Sequence, residues 1–309
     1  MAADRLRIAT RRSALALWQA EHVATALRAA HPGIAVELVP LSTRGDEILE
    51  TSLALIGGKG LFTKELENAM LEGRAELAVH SLKDVPAQLP DGMTLAAILA
   101  AADPLDALVS KRYATVDALP AGARVGSSSL RREAQLRHRF PALVFVGLRG
   151  NVNTRLAKLD ADDYDAIILA VAGLERLGLA DRVRERIDPA VCLPAIGQGV
   201  LAVECRADDA TTRALVAALE HGPTRTRVSA ERTVNRRLRG SCEAPVAAYA
   251  TQAGDVLTLR ARVGSPDGCT LLEAIATGPA NEPVALGERA AESLIAQGAA
   301  AILAAAAQR

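Results

Sequence analysis

Arginine gathers at a few places in this chain. Arg11 and Arg12 follow Leu6-Arg7-Ile8-Ala9-Thr10, and Arg131 and Arg132 follow Gly126-Ser127-Ser128-Ser129-Leu130. Arg149 and Arg155 bracket Gly150-Asn151-Val152-Asn153-Thr154, and Arg176 comes after the apolar run Ile167-Ile168-Leu169. A guanidinium is a planar fork that takes a carboxylate through two hydrogen bonds and stays charged at any working pH. Serine hydroxyls and backbone N–H groups at a helix start, as at Ser127 to Ser129, add neutral donors for the same anions. Any one of these arginines alone reads as a solvated or ion-paired surface residue. Seven of them at strand ends and helix starts point to a site for a polyanion.

One carboxylate stands within this basic set, Asp84, next to Lys83 after Leu77-Ala78-Val79-His80. Neighbours in an extended chain point to opposite sides, so the two need not neutralise each other. A lone carboxylate among cations stays ionised, and it can stabilise a developing positive charge or hold an N–H group. A structural salt bridge accounts for it equally well. Of the four cysteines, only Cys242 lies in a turn-like setting, Arg239-Gly240-Ser241-Cys242-Glu243-Ala244-Pro245, where an exposed nucleophile is conceivable and an ordinary loop thiol is the commoner case. Cys192, Cys205 and Cys269 sit in or beside apolar runs, as small buried thiols do. Gly57-Gly58-Lys59-Gly60-Leu61 lacks the Lys-Ser or Lys-Thr of a nucleotide phosphate loop, and no G-x-G-x-x-G follows a strand. The five histidines include no H-E-x-x-H, and no H-x-E precedes a P-C-x-x-C, so no metal site is expected and hydrolytic zinc deamination is unsupported.

The elements that would position these residues alternate between short apolar runs and helical patterns, an α/β signature. Leu6 to Thr10 predicts a strand, and Ser13 stands at an N-cap position before Leu15, Trp18, Val23 and Leu27 at helical spacing. Val36 to Val39 predicts a strand, Lys64 to Glu72 a helix stopped by Gly73, and Leu77 to His80 a strand. Pro86 keeps Val85 extended and marks a loop at that strand end. A second set of units begins near Asp103, with strands at Ala107-Leu108-Val109, Arg124-Val125-Gly126, Leu143 to Val146 and Ala166 to Leu169. Arg11, Lys83, Ser127 and Arg149 all fall after strands, where ligands sit in such sheets. Pro194-Ala195-Ile196-Gly197-Gln198-Gly199 reads as a hinge. An arginine-bearing helix follows, and the segment from Ala244 to Arg309 reads as strands followed by a long helix.

Composition bounds the rest. Half of the 309 residues are hydrophobic but only 2% aromatic, so the core is aliphatic. Lys plus Arg and Asp plus Glu are 36 each, which gives no global attraction to nucleic acid or to an anionic membrane. No cysteine pair has C-x-x-C spacing, and a disulfide framework is not expected at this density. Thr10-Arg11-Arg12-Ser13-Ala14-Leu15 has the look of a twin-arginine signal, but Gln19, Glu21 and His22 interrupt the apolar stretch, so it is read as part of the fold. The alanine-rich tail is too short to span a bilayer. The expected compartment is the cytoplasm and the expected state a monomer.

Several blocks resemble the porphobilinogen deaminase family. They are Leu6 to Arg11, Thr43-Arg44-Gly45-Asp46, Gly57-Gly58-Lys59-Gly60-Leu61-Phe62 and Val79-His80-Ser81-Leu82-Lys83-Asp84-Val85-Pro86. Gly126 to Arg132, Leu148 to Arg155, Leu193 to Gly199 and the Cys242 segment continue the likeness in order along the chain, with the last part weakest after about residue 250. Gly240-Ser241 stands where the family often has Gly-Gly, and Ser127 where threonine is frequent.

The resemblance implies an α/β fold of two periplasmic-binding-protein-like lobes with a hinge, plus a small C-terminal α+β domain. The boundaries expected are 1–100 for the first lobe, to which the chain returns at 200–219, then 101–194, then 220–309. It implies a transferase that joins porphobilinogen units head to tail, primed by a dipyrromethane bound through Cys242. Asp84, with Lys83, would serve the chemistry. Ser13, Lys83, Asp84, Ser127, Ser129, Arg131, Arg132 and Arg149 would hold the cofactor, and Arg11, Arg149, Arg155, Arg176 and Gln198 the substrate. A non-catalytic protein of the same architecture would use the arginines to capture an anion and would need neither Asp84 nor Cys242.

Overall fold

The computed structural model describes residues 5–43, 63–238 and 244–308. The first sheet has the order β2-β1-β3-β10-β4, formed by β1 (Arg5–Arg11), β2 (Ala35–Leu41), β3 (Leu77–Ser81), β4 (Met93–Ile98) and β10 (Leu201–Arg206). The second has the order β7-β6-β8-β5-β9, formed by β5 (Asp106–Val109), β6 (Arg124–Gly126), β7 (Val144–Val146), β8 (Ala166–Ala170) and β9 (Glu185–Ile187). Both sheets follow one plan. β1 lies parallel to β2 and β3, and β6 parallel to β7 and β8. An antiparallel strand is then inserted next to the third: β10 between β3 and β4, and β5 between β8 and β9. Each inserted strand is the first one after the chain crosses from the other sheet, so the two lobes are built around reciprocal crossovers.

The crossovers run side by side. Ala102 N–H donates to Gly199 O at 3.2 Å and Leu99 N–H to Leu201 O at 3.0 Å. Gly199 has φ +83°, and a Cβ there would lie 2.7 Å from Ala102 O, so only glycine permits this approach. The segment predicted as a hinge is therefore the second crossover, fastened to the first by backbone hydrogen bonds.

The core is aliphatic throughout. Ala166, Ile167, Ile168 and Leu169 are all buried, as a strand covered on both faces requires. Burying each large aliphatic side chain is worth about 1.5–3 kcal/mol. Helix α1 (Ala14–Ala30) turns Val23 and Leu27 into the first core, whereas Trp18 stays 38% exposed and does not join that face. Helix α2 (Lys64–Leu71) covers the other side.

In the second lobe lie α3 (Leu130–Arg139), α4 (Val152–Asp160) and α5 (Val171–Arg176). Helix α6 (Ala210–Val216) returns to the first core, and α7 (Gly222–Leu238) leads away from it. The C-terminal unit is an antiparallel sheet of β11 (Val246–Ala253), β12 (Val256–Gly264) and β13 (Leu271–Pro279), packed on α7. The long final helix expected from the sequence is two helices, α8 (Pro283–Ala296) and α9 (Ala299–Ala306). Gly298 adopts a left-handed φ of +101° between them, which ends one helix and starts the other. Cys192 and Cys205 are buried as expected, but Cys269 is exposed, because it falls in the tight turn between β12 and β13.

Candidate functional site

β3 delivers Lys83 and Asp84 to the carboxyl end of the first sheet. The chain does not stay extended there, as the sequence suggested, but makes a 3-10 turn over Leu82–Asp84. Leu82 N–H is taken by Val200 O at 2.9 Å, and Val85 N–H folds back to Leu82 O at 3.1 Å. The neighbouring crossover thus decides the geometry. Asp84 is exposed at the tip of the turn, whereas Lys83 is partly buried and donates from Nζ to Gln198 Oε1 at 3.3 Å. Burial draws the Lys83 ammonium down to about 8; Asp84 and Asp106 oppose that shift, and Arg132 and Arg131 add to it.

Gln198 is a buried connector. Its Nε2 donates to Pro104 O at 2.7 Å and to Asp106 Oδ1 at 3.0 Å. An ammonium only donates and a carboxylate only accepts, so the amide has one consistent orientation, oxygen toward Lys83 and nitrogen toward Asp106.

Asp106 is the residue that sequence reasoning missed. It is fully buried at the start of β5 and receives Arg131 Nη1 at 2.7 Å and Nη2 at 3.2 Å. Arg132 adds Nε at 3.0 Å and Nη2 at 2.7 Å, and the Cys192 thiol donates at 3.4 Å. Burial by itself would raise this carboxyl, yet the two guanidiniums hold it far below the usual carboxylate range. Desolvation and Asp106 likewise push the Cys192 thiol up to about 12, which leaves it inert. A charged residue opening an otherwise apolar strand, in Asp103-Pro104-Leu105-Asp106-Ala107-Leu108-Val109, was the available signal.

Arg131 and Arg132 are therefore buried and ion-paired rather than open. Arg131 Nη1 also donates to Leu193 O at 2.8 Å, and Arg132 Nη1 to Ile168 O at 2.9 Å. Two cations against one carboxylate still leave one positive charge, and each five-donor fork keeps N–H groups beyond these bonds.

The serines before α3 divide the work. Ser127 Oγ accepts Ser129 N–H at 3.1 Å, while Ser128 Oγ bonds both Leu148 O and Leu148 N–H, tying the ends of β6 and β7 together. Ser129 occupies the N-cap position but makes no side-chain cap, which leaves the first-turn N–H groups of α3 suited to an anionic oxygen.

Arg149 lies in the loop after β7, and Asn151 caps α4 by accepting Thr154 N–H at 2.9 Å. Arg155, on the first turn of that helix, donates from Nε to Gly150 O at 2.7 Å. Burial brings the Arg155 guanidinium down to about 10, Arg132 and Arg149 push the same way, and Asp84 opposes them. These mutual influences put Arg132, Arg149, Arg155 and Asp84 in one electrostatic neighbourhood, although the turn and the helices come from different lobes.

Arg176 ends α5 and donates from Nη2 to Gly199 O at 2.6 Å, next to Gln198 along the crossover. Arg11 is the last residue of β1, parallel to β3, so it leaves the sheet at the same edge as the Lys83 turn. Ser13 is the N-cap of α1, as the sequence suggested, accepting Ala16 N–H at 3.3 Å. Gln19, which the sequence did not single out, ties α1 to the end of β3 through Ser81 Oγ at 2.8 Å. Cys242, Lys59 with its glycine-rich loop, and Arg44 to Asp46 lie outside the described residues. Among the described residues no group of three or more His, Cys, Asp or Glu is arranged to hold a metal ion, and no helix is long and apolar enough to cross a membrane.

Residues 6–214 match the family model described as "Porphobilinogen deaminase, dipyromethane cofactor binding domain", and residues 225–296 match "Porphobilinogen deaminase, C-terminal domain". The chain is 60% identical over 299 residues to a porphobilinogen deaminase of Xanthomonas axonopodis pv. citri (strain 306), covering 97% of this chain and 98% of that one. It is 59% identical over 300 residues to the porphobilinogen deaminase of Stenotrophomonas maltophilia (strain K279a), covering 97% and 99%. Among solved structures, a periplasmic substrate-binding protein of an ABC transporter from Coxiella burnetii superposes with a TM-score of 0.46 at 15% identity, covering 69% of this chain and 91% of that one. The methionine binding protein MetQ gives a TM-score of 0.44 at 14% identity, covering 70% and 90%.

Proposed function

The chain belongs to the porphobilinogen deaminase family, and from that premise we propose that it joins four porphobilinogen molecules head to tail into hydroxymethylbilane, releasing ammonia at each addition, in tetrapyrrole biosynthesis. The observation that carries this reading is the exposed carboxylate of Asp84 on a turn whose neighbours are Lys83, Arg155 and the Arg131–Arg132 pair.

The residues fit a polycarboxylate cofactor. Arg155 and Arg176 are desolvated cations, the first turn of α3 lacks a side-chain cap, and Arg131 and Arg132 together exceed the charge of Asp106. Each pyrrole of a dipyrromethane brings two carboxylates, so several fixed guanidiniums are needed. We assign Cys242 as the attachment point through a thioether. Lys83, Arg131, Arg132 and Arg149, with the hydroxyls of Ser13, Ser127 and Ser129, would hold the acid groups. When bound, the dipyrromethane supplies a tethered primer, which replaces repeated bimolecular capture.

Arg11, Arg149, Arg155 and Arg176 would take the carboxylates of incoming porphobilinogen, with Gln198 holding Lys83 in place for them. In the substrate the aminomethyl C–N bond breaks, its electron pair leaves with ammonia, and positive charge spreads over the pyrrole. The Asp84 carboxylate stabilises that charge where it develops. Lys83 beside it supplies the positive charge that keeps the acid groups seated.

The same reading takes the protein as a cytoplasmic monomer, a compartment that suits the free thiols Cys192 and Cys205. It divides the chain into 1–100 with 200–219, then 101–194, then 220–309, in line with the sheet to which each strand belongs.

The test is the intact mass of the purified protein beside a Cys242→Ser variant, before and after incubation with porphobilinogen. An excess of two condensed porphobilinogen units in the wild type, absent from the variant, supports the reading. No adduct under either condition would sink it and favour a non-catalytic anion-binding protein.

A further inference from the structure

Trp18 and Arg176 meet across the boundary between the lobes. Trp18 is on α1 against the first sheet, and Arg176 ends α5 in the second lobe. The guanidinium carbon lies over the indole, 5.7 Å from the ring centroid. Its Nη2 donates to the neutral carbonyl of Gly199 at 2.6 Å. The adjacent carboxylate, Glu175, is engaged by Arg186 Nη2 at 2.7 Å. Burial lowers the pKa of Arg176, and the charge of Glu175 only partly offsets it. A desolvated guanidinium held by a π face and a carbonyl is a binding group for a carboxylate from outside the chain.

Trp18 is the single tryptophan of the sequence, and core packing does not explain it. The buried face of α1 is Gln19, Ala20, Val23, Ala24 and Leu27, while Trp18 remains 38% exposed. His22, one turn on, stacks against the indole with centroids 5.1 Å apart and planes within 8°. One turn earlier, Leu15 packs toward Gly173 of α5, where a Cβ would come within 3.7 Å of it. The two helices therefore approach each other at Leu15 and Gly173 and meet in the Trp18–Arg176 cation–π contact.

We propose that Trp18 is a positioning residue that holds the Arg176 guanidinium across the lobe boundary for a carboxylate of the incoming pyrrole. This rests on the porphobilinogen reading of the site. An indole face attracts a cation through its quadrupole and uses none of the N–H donors, so the fork stays available to the ligand. A carboxylate in the place of Trp18 would consume the fork, as Asp106 does with Arg131.

Steady-state kinetics of the holoenzyme with porphobilinogen, for Trp18→Leu and Trp18→Phe, test the assignment alongside thermal melting of each. Leucine, which removes the π face, raises KM about 3- to 10-fold with kcat within about twofold, and phenylalanine restores most of the loss. Arg176→Lys adds little further to KM in the Trp18→Leu background. Unchanged KM in Trp18→Leu, equal losses in both variants, or additive penalties in the double variant would each overturn the assignment. If Trp18→Leu does not fold, the wild type alone decides: saturation with porphobilinogen must change the emission of its single tryptophan, and no change counts against the proposal. A wild-type holoenzyme that makes no hydroxymethylbilane refutes the reading of the site itself, and this inference falls with it; normal product formation with an indifferent Trp18 refutes the inference alone.

Discussion

The carboxylate of Asp106 grips the guanidinium of Arg131 through two hydrogen bonds, 2.7 and 3.2 Å long, with the carboxylate fully buried and the arginine nearly so. The pair is shared with Arg132, so one buried anion orders two adjacent cations at the first turn of α3. Removing one member of such a group leaves uncompensated buried charge, which costs far more than the intact pair contributes. Asp106→Asn is expected to lose about 3–5 kcal/mol of stability, read as a lower urea midpoint and melting temperature. A variant as stable as the wild type would show that Asp106 is not the counter-ion of these arginines.

Lys83 introduces a pH dependence. Burial draws its ammonium down to about 8 in the protein without dipyrromethane, so the charge is present below that pH and lost above it. Because Lys83 is assigned to the cofactor's acid groups, loading of the cofactor-free protein by porphobilinogen should slow as pH rises through about 8. A Lys83→Gln variant should load slowly and lack that pH dependence. A profile identical in both proteins would rule out Lys83 as its source.

Glu231 carries a stability signature of opposite character. Buried on α7, it accepts Gly197 N–H at 2.8 Å and Ala250 N–H at 2.9 Å, joining the second crossover to β11. Burial pushes its carboxyl up to about 7, against the two N–H bonds and Arg227, which pull it down. The unfolded carboxyl titrates near 4.5. Between those values the native protein binds more protons than the unfolded chain, so this group's contribution to stability grows as pH falls from about 7 toward 4.5. Urea unfolding at several pH values should show this slope in the wild type and not in Glu231→Gln. The variant should also be weaker throughout by about 1–3 kcal/mol, because an amide oxygen can replace only one of the two acceptors.

Asp84 separates binding from chemistry. Asp84→Asn keeps the size of the side chain and removes the charge that would face the developing pyrrole cation. The expected result is a drop in kcat of about 10²–10³-fold with a much smaller change in KM, measured as porphobilinogen consumption by the loaded enzyme. Equal effects on both constants would make Asp84 a binding residue instead.

The strand ends that display Arg11, Lys83, Ser127 and Arg149 were legible from alternating apolar runs, the Ser13 cap from its place before a helical pattern, and the family from its ordered blocks. Those features depend on near neighbours along the chain, where local sterics and hydrogen bonding decide the outcome. Other features did not follow from local pattern. The Lys83 turn is shaped by Val200, and Trp18 turns away from the core face shared by Val23 and Leu27. Asp106 meets Arg131 across 25 positions and Cys192 across 86.

The sequence alone therefore determined the strands and helices that carry those residues, the aliphatic core and the cationic character of the site. Only the tertiary structure decided which cations are neutralised from within and which stay available to a ligand. The physical reason is that the partner of a buried charge is whatever the crossovers bring within about 3 Å, and no local pattern of residues specifies that distance.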